Sequence, residues 1–124
     1  MRDDRRVAAR LLQHGGRVQI PYMVAAELRF GLQRYIRSGR PADALRARME
    51  RLFAMAGGIV PLNAAALECY ATLRADLEAK GSPIGATDLW IAAQVLADDA
   101  LLVTDNTQEF RRVPGLRMEN WLKR

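Results

Sequence analysis

Gly85-Ala86-Thr87-Asp88-Leu89-Trp90-Ile91-Ala92-Ala93, apolar on through Leu96 and followed by Leu101-Leu102-Val103-Thr104, places a loop, a helix and a strand in succession. Thr87 and Asp88 follow a glycine-bounded loop, so the acid falls where the helix begins. There the positive end of the helix dipole favours an ionised carboxylate. Such an acid is either a plain cap or half of a cation site. The run at 101–104 has no polar alternation and predicts a strand buried on both faces.

Outward from this stretch, helices and short strands alternate. Residues 3–14 read as a helix with Asp3 and Asp4 in its first turn, ended by Gly15-Gly16. A strand over 17–20 stops at Pro21. A helix follows over 22–36, where Val24, Leu28, Leu32 and Tyr35 recur at helical spacing. Pro41 leads another helix to Met55. Ile59-Val60-Pro61-Leu62 reads as a brief buried strand. Asn63 is an N-cap for a helix to Lys80 with Leu67, Tyr70, Leu73 and Leu77 inward. The Asp88 helix runs to about Asp98, and residues 116–121 form a last short strand. The pattern predicts one α/β domain over residues 1–124 around a mostly parallel sheet.

Composition narrows the function classes. The chain has 19 basic and 14 acidic residues, a net charge of +5, and its basic residues are nearly all arginine. A basic surface attracts polyanions, RNA foremost; arginine used simply on solvated faces is the ordinary alternative. No apolar run approaches a membrane span, and the charged opening Met1-Arg2-Asp3-Asp4-Arg5-Arg6 lacks a secretory core. A single cysteine, Cys69, makes no internal disulfide, so the expectation is a soluble cytoplasmic protein with no membrane partner. The lone His14, beside Gly15-Gly16, suits a helix end rather than catalysis. Ser-His-Asp and Cys-His arrangements, a phosphate-binding glycine loop and a zinc pattern are all missing.

Ligands of such sheets bind at the carboxyl ends of strands. Three acidic spots fall there: Glu27 on the helix after the first strand, Asp88, and Asp105-Asn106 just past the 101–104 strand. Met23, Val24, Phe30 and Gly31 surround Glu27 at helical spacing, so it borders the expected buried stripe, where a carboxylate needs a partner. Each has an ordinary role: Glu27 in a salt bridge to Arg34, Asp88 as a cap, Asp105-Asn106 as a turn. Together, carboxylates converging at strand ends repel unless a divalent cation neutralises them, and oxygen-only donors suit Mg²⁺ or Mn²⁺. Such a site on a basic surface points to a nuclease.

Three blocks then carry a family resemblance. They are Pro21-Tyr22-Met23-Val24-Ala25-Ala26-Glu27-Leu28-Arg29-Phe30-Gly31, Gly81-Ser82-Pro83-Ile84-Gly85-Ala86-Thr87-Asp88-Leu89-Trp90-Ile91-Ala92-Ala93, and Leu102-Val103-Thr104-Asp105-Asn106-Thr107-Gln108-Glu109-Phe110. Val113-Pro114-Gly115-Leu116 and Glu119-Asn120-Trp121 close the match. In order and spacing the chain resembles the PIN-domain family, most closely the VapC-type toxins of bacterial toxin–antitoxin pairs.

The resemblance implies an α/β/α sandwich with a parallel sheet, metal-dependent RNA cleavage, and a small antitoxin partner (VapB-like). It places Glu27 and Asp88 on metal-binding positions for Mg²⁺ or Mn²⁺. Asn106 falls on the family's fourth acidic position, where the family carries Asp or Asn, and would orient the metal's water, with Asp105 beside it as the alternative ligand and Thr104 hydrogen-bonding the cluster. Arg29 and Arg34 are candidate RNA contacts, with plain surface arginines as the alternative. The family's opening strand, ending in an Asp-Thr-Asn-type motif, and the helix after it have no counterpart here; Asp3 and Asp4 match helix-start positions instead. A domain shortened in this way is expected to be less stable, prone to form a homodimer, and weakened in metal binding and cleavage. A catalytically weak or silent module that binds antitoxin or RNA is the rival reading, and a purely structural domain the third.

Overall fold

A computed structural model describes residues 18–121. The expected helix over 3–14, Gly15-Gly16, His14 and Arg17 lie outside the described residues. The chain divides into two compact units, Met1–Pro61 and Leu62–Arg124.

In the first unit, β1 (Ile20–Pro21) pairs parallel with β2 (Ile59–Val60), Ile20 opposite Ile59 and Pro21 opposite Val60. The strand includes the proline expected to stop it. Pro21 lacks an N–H, but it closes the two-residue strand and its φ of −59° and ψ of 148° turn the chain directly into α1 (Tyr22–Arg37). Ile59 is 41% exposed, not buried as expected. Val60 beside it is half-buried, and among the described residues the ladder has only two strands.

α1 buries Ala25 and Leu32 and packs on α2 (Asp43–Met55), which buries Met49. Between them Gly39 takes φ of +85°, a left-handed turn conformation that costs glycine little. The Ser38 hydroxyl closes the turn by donating to the Tyr35 carbonyl.

In the second unit, α3 (Ala64–Ala79) begins as expected at Asn63, whose Oδ1 accepts from the Ala66 N–H at 2.9 Å. Ala66, Leu73 and Leu77 form its buried stripe. Leu67, expected inward, is 54% exposed because it lies one residue off that stripe, about 100° around the helix. α3 packs along α4 (Ala86–Ala97), which buries Leu89 and Ile91 to Val95 and so reads as apolar almost all round. The Tyr70 and Trp90 rings stack between these helices, centroids 3.9 Å apart and 11° from parallel.

β3 (Leu101–Val103) pairs parallel with β4 (Arg117–Glu119), Leu102 opposite Met118. Leu102 is buried, but Leu101 and Val103 are exposed, so this strand is covered on one face only. Side chains alternate along a strand, and among the described residues its sheet has two members. A single-turn helix on the connection between them, α5 (Thr107–Phe110), buries Phe110. The α/β class and the parallel pairing agree with the sequence.

Candidate functional site

Asp88 stands in the first turn of α4. The N-cap is Gly85, with no side-chain cap, so Asp88 is the third helical residue rather than the cap itself. Its half-buried carboxylate is held near the positive end of the helix dipole. The carboxyl end of β3 delivers the neighbouring group. Just beyond Val103 the chain turns sharply at Thr104-Asp105-Asn106, where the Asn106 N–H donates to Thr104 Oγ1 at 3.0 Å. The turn aims the Asn106 side chain at the helix, and its Nδ2 donates to Asp88 Oδ2 at 3.3 Å.

The adjacent acid points elsewhere. Asp105 Oδ1 accepts from Asn120 Nδ2 at 3.0 Å, which ties it to the segment after β4. The Thr104 N–H reinforces that link by donating to the Glu119 carbonyl at 3.0 Å. Asn106, and not Asp105, is therefore the residue brought to Asp88. Within residues 62–121 no group of three His, Cys, Asp or Glu side chains forms. These hydrogen bonds link the Asp88 carboxylate, the Asn106 amide and the Thr104 hydroxyl.

Two residues that sequence reasoning did not single out shape this site. Glu109 Oε1 accepts from the Gly85 N–H at 3.3 Å, and Arg112 Nη1 donates to the Pro83 carbonyl at 2.9 Å. Together they pin the loop that leads into α4 and so set where Asp88 begins its helix. Their partners lie 24 and 29 residues upstream. No local spacing marks such pairs, and the acidic residue inside Thr107-Gln108-Glu109-Phe110 is the only signal.

Glu27 lies on α1 in the first unit. It is exposed, rather than at the border of the buried stripe where the sequence placed it. The phase of the helix is the reason: Ala25 and Leu32 are the buried residues, and Glu27 is two positions from Ala25, about 200° around. No desolvation penalty therefore demands a partner for it. The alternative salt bridge does not form either. The Arg34 guanidinium lies 5.4 Å from the Phe30 ring centroid, and among the described residues no Glu27–Arg34 ion pair is present. Arg34 follows Glu27 by seven residues and shares its helix face, whereas Arg29 is about 200° around and sits over the Phe53 ring of α2 at 4.9 Å.

The oxygen-bearing side chains of Asp88, Asn106 and Thr104 suit a hard cation such as Mg²⁺ or Mn²⁺ rather than a thiophilic one. Burial pushes the Cys69 thiol on α3 above its ordinary range, which disfavours the thiolate a nucleophile or soft-metal ligand would need. No helix among the described residues is long and apolar enough to cross a membrane.

Comparison with known proteins bears directly on this arrangement. Residues 1–116 match the PIN domain. Ribonuclease VapC2 of Rickettsia felis is 36% identical over 113 residues, covering 91% of this chain and 81% of the relative. Ribonuclease VapC1 of Haemophilus influenzae is 34% identical over 110 residues, covering 86% and 76%. The crystal structure of DNA-bound VapBC from Salmonella typhimurium matches with a TM-score of 0.81 at 26% identity, covering 94% of this chain and 84% of that one. With a family match over nearly its whole length and relatives above 30% identity, the chain belongs to the PIN-domain family, among its VapC ribonucleases.

Proposed function

We propose that this chain is a VapC-type endoribonuclease toxin that cuts RNA with the help of Mg²⁺ or Mn²⁺ and is held in check by a small VapB-like antitoxin. The nuclease reading is carried by the match to VapC ribonucleases together with the Asp88–Asn106 contact at a strand end. An antitoxin partner is supported by the structural likeness to VapBC complexes.

Asp88 is assigned as a metal ligand because the positive helix end keeps its carboxylate ionised and the Asn106 and Thr104 side chains add oxygen atoms beside it. Glu27 is assigned as the second carboxylate ligand on the sequence match alone. A divalent ion held there would supply Lewis acidity at a scissile phosphodiester. Asn106 orients the Asp88 carboxylate through its Nδ2, Thr104 fixes the backbone turn that presents Asn106, and Glu109 and Arg112 fix the loop before α4. Arg34, on Glu27's helix face, is assigned to the RNA backbone. A cytoplasmic homodimer completes the reading.

The test is cleavage of total cellular RNA by the purified chain with Mn²⁺, with chelator, and with Asp88→Asn. The reading requires cleavage that chelator and the substitution each abolish. Intact RNA under all three conditions would leave a silent module that binds RNA or antitoxin.

A further inference from the structure

The end of the first unit where α1 passes into α2 concentrates positive charge. Arg34 and Arg37 lie in the last turn of α1, Arg40 in the turn beyond it, and Arg46 in the first helical turn of α2; all four are exposed. Asp43 is the only acid among residues 34–46, so the segment carries an excess of three positive charges, four arginines less one aspartate.

Helix stability does not account for this set. Arg34 and Arg37 complement the negative end of α1, but Arg46 stands at the positive end of α2, where a cation is unfavourable. Arg40 belongs to neither helix. Its guanidinium lies 4.3 Å from the Tyr35 ring centroid, and its Nε donates to Ser38 Oγ at 3.1 Å. Arg34 is likewise laid against Phe30. Among the described residues neither guanidinium pairs with a carboxylate. Both are ordered by an aromatic ring, so less rotamer freedom is lost when an anion binds.

Arg34 is about 10 Å along α1 from Glu27 and about 20° around it, and Arg37 is about 15 Å along. The basic group thus continues the helix that carries Glu27. We propose that Arg34, Arg37, Arg40 and Arg46 form a track, continuing the helix that carries Glu27, that binds the phosphate backbone of RNA without reading its sequence. This rests on the ribonuclease reading above. Planar guanidinium forks match phosphate oxygens in pairs, and a ring-backed guanidinium also offers a plane for an unstacked base. RNA therefore suits the track better than an acidic polypeptide does.

The experiment uses the full chain carrying Asp88→Asn, with labelled oligouridylate and oligoadenylate as probes and Kd measured across a salt series. Arg40→Gln with Arg46→Gln should weaken both oligonucleotides alike, by about tenfold at low salt, and flatten the salt slope by about 0.7 for each phosphate left without its arginine. Arg111→Gln, which removes one positive charge from the second unit, should change neither. Unchanged Kd and slope in the double variant, or an equal loss in Arg111→Gln, overturns the track. So does loss of polyglutamate binding with RNA binding intact, which would assign the surface to an acidic polypeptide. Cleavage by the unsubstituted chain is scored separately. Cleavage with an unchanged Kd refutes the track alone, whereas arginine-dependent binding without cleavage refutes the nuclease reading alone.

Discussion

The Asn106 side chain reaches from the end of β3 to the Asp88 carboxylate on α4 and donates to it at 3.3 Å. This contact joins a strand terminus, where parallel α/β folds bind ligands, to a helix N-terminus, whose positive end keeps the carboxylate ionised. Its amide contributes a donor without a second negative charge.

Asn106→Asp tests what that neutrality does. A second carboxylate within reach of Asp88 repels it, and the pair ionises with one member's pKa raised. Because a raised carboxyl pKa makes the folded state hold its proton longer, the destabilisation is present at neutral pH and fades as pH falls through the ordinary carboxyl range. In chelator at neutral pH the variant should melt below the unsubstituted chain, and Mn²⁺ should narrow the gap. A gap that Mn²⁺ leaves unchanged would argue that no cation binds beside Asp88.

Asn63→Ala should cost about 1 kcal/mol, because the Ala66 N–H then loses its side-chain acceptor at the start of α3. Asn63→Asp keeps an acceptor there and should retain most of the stability. Urea unfolding of the two variants measures the difference. This cap is legible in the sequence because the bond spans three residues and depends on nothing remote.

Trp90→Ala removes one ring of the Tyr70–Trp90 stack and should destabilise the chain by about 3 kcal/mol, through lost burial and a cavity between α3 and α4. Trp90→Phe keeps a ring opposite Tyr70 and should lose less than half as much. Equal losses in the two variants would show that ring stacking contributes nothing at this position.

Cys69 should alkylate slowly. Burial raises its pKa, so at mildly alkaline pH the folded chain holds less thiolate than a small free thiol does. Iodoacetamide should react more slowly with the native chain than with glutathione, and urea should abolish the difference. The sign of the linkage follows: the unfolded thiol ionises first, so this group's contribution to stability declines as pH rises above the ordinary thiol range. A native rate equal to that of glutathione would contradict the burial.

Much of the site is written along the chain. The helix beginning near Asp88 and the strand before Asn106 follow from local spacing, and the preference for Asn106 over Asp105 follows from motif order. The structure brings Asn106 to Asp88 while Asp105 turns to Asn120. Glu27 shows the limit. Its apolar neighbours at helical spacing suggest burial, yet it is exposed. Spacing reveals the period of a helix, but its rotation relative to the core depends on what packs against it.

The sequence by itself determined the helices between Tyr22 and Ala97, the Asn63 cap, the approximate positions of the short strands, and the PIN-domain family. These depend on interactions within a few residues or on motif order along the chain. Only the tertiary structure decided that Ile59, Leu101 and Val103 are exposed, that Leu67 and Glu27 face solvent, and that Glu109 and Arg112 hold the loop before α4. Burial and long-range hydrogen bonds depend on which surfaces meet after the chain has folded back on itself, and no local pattern encodes that choice.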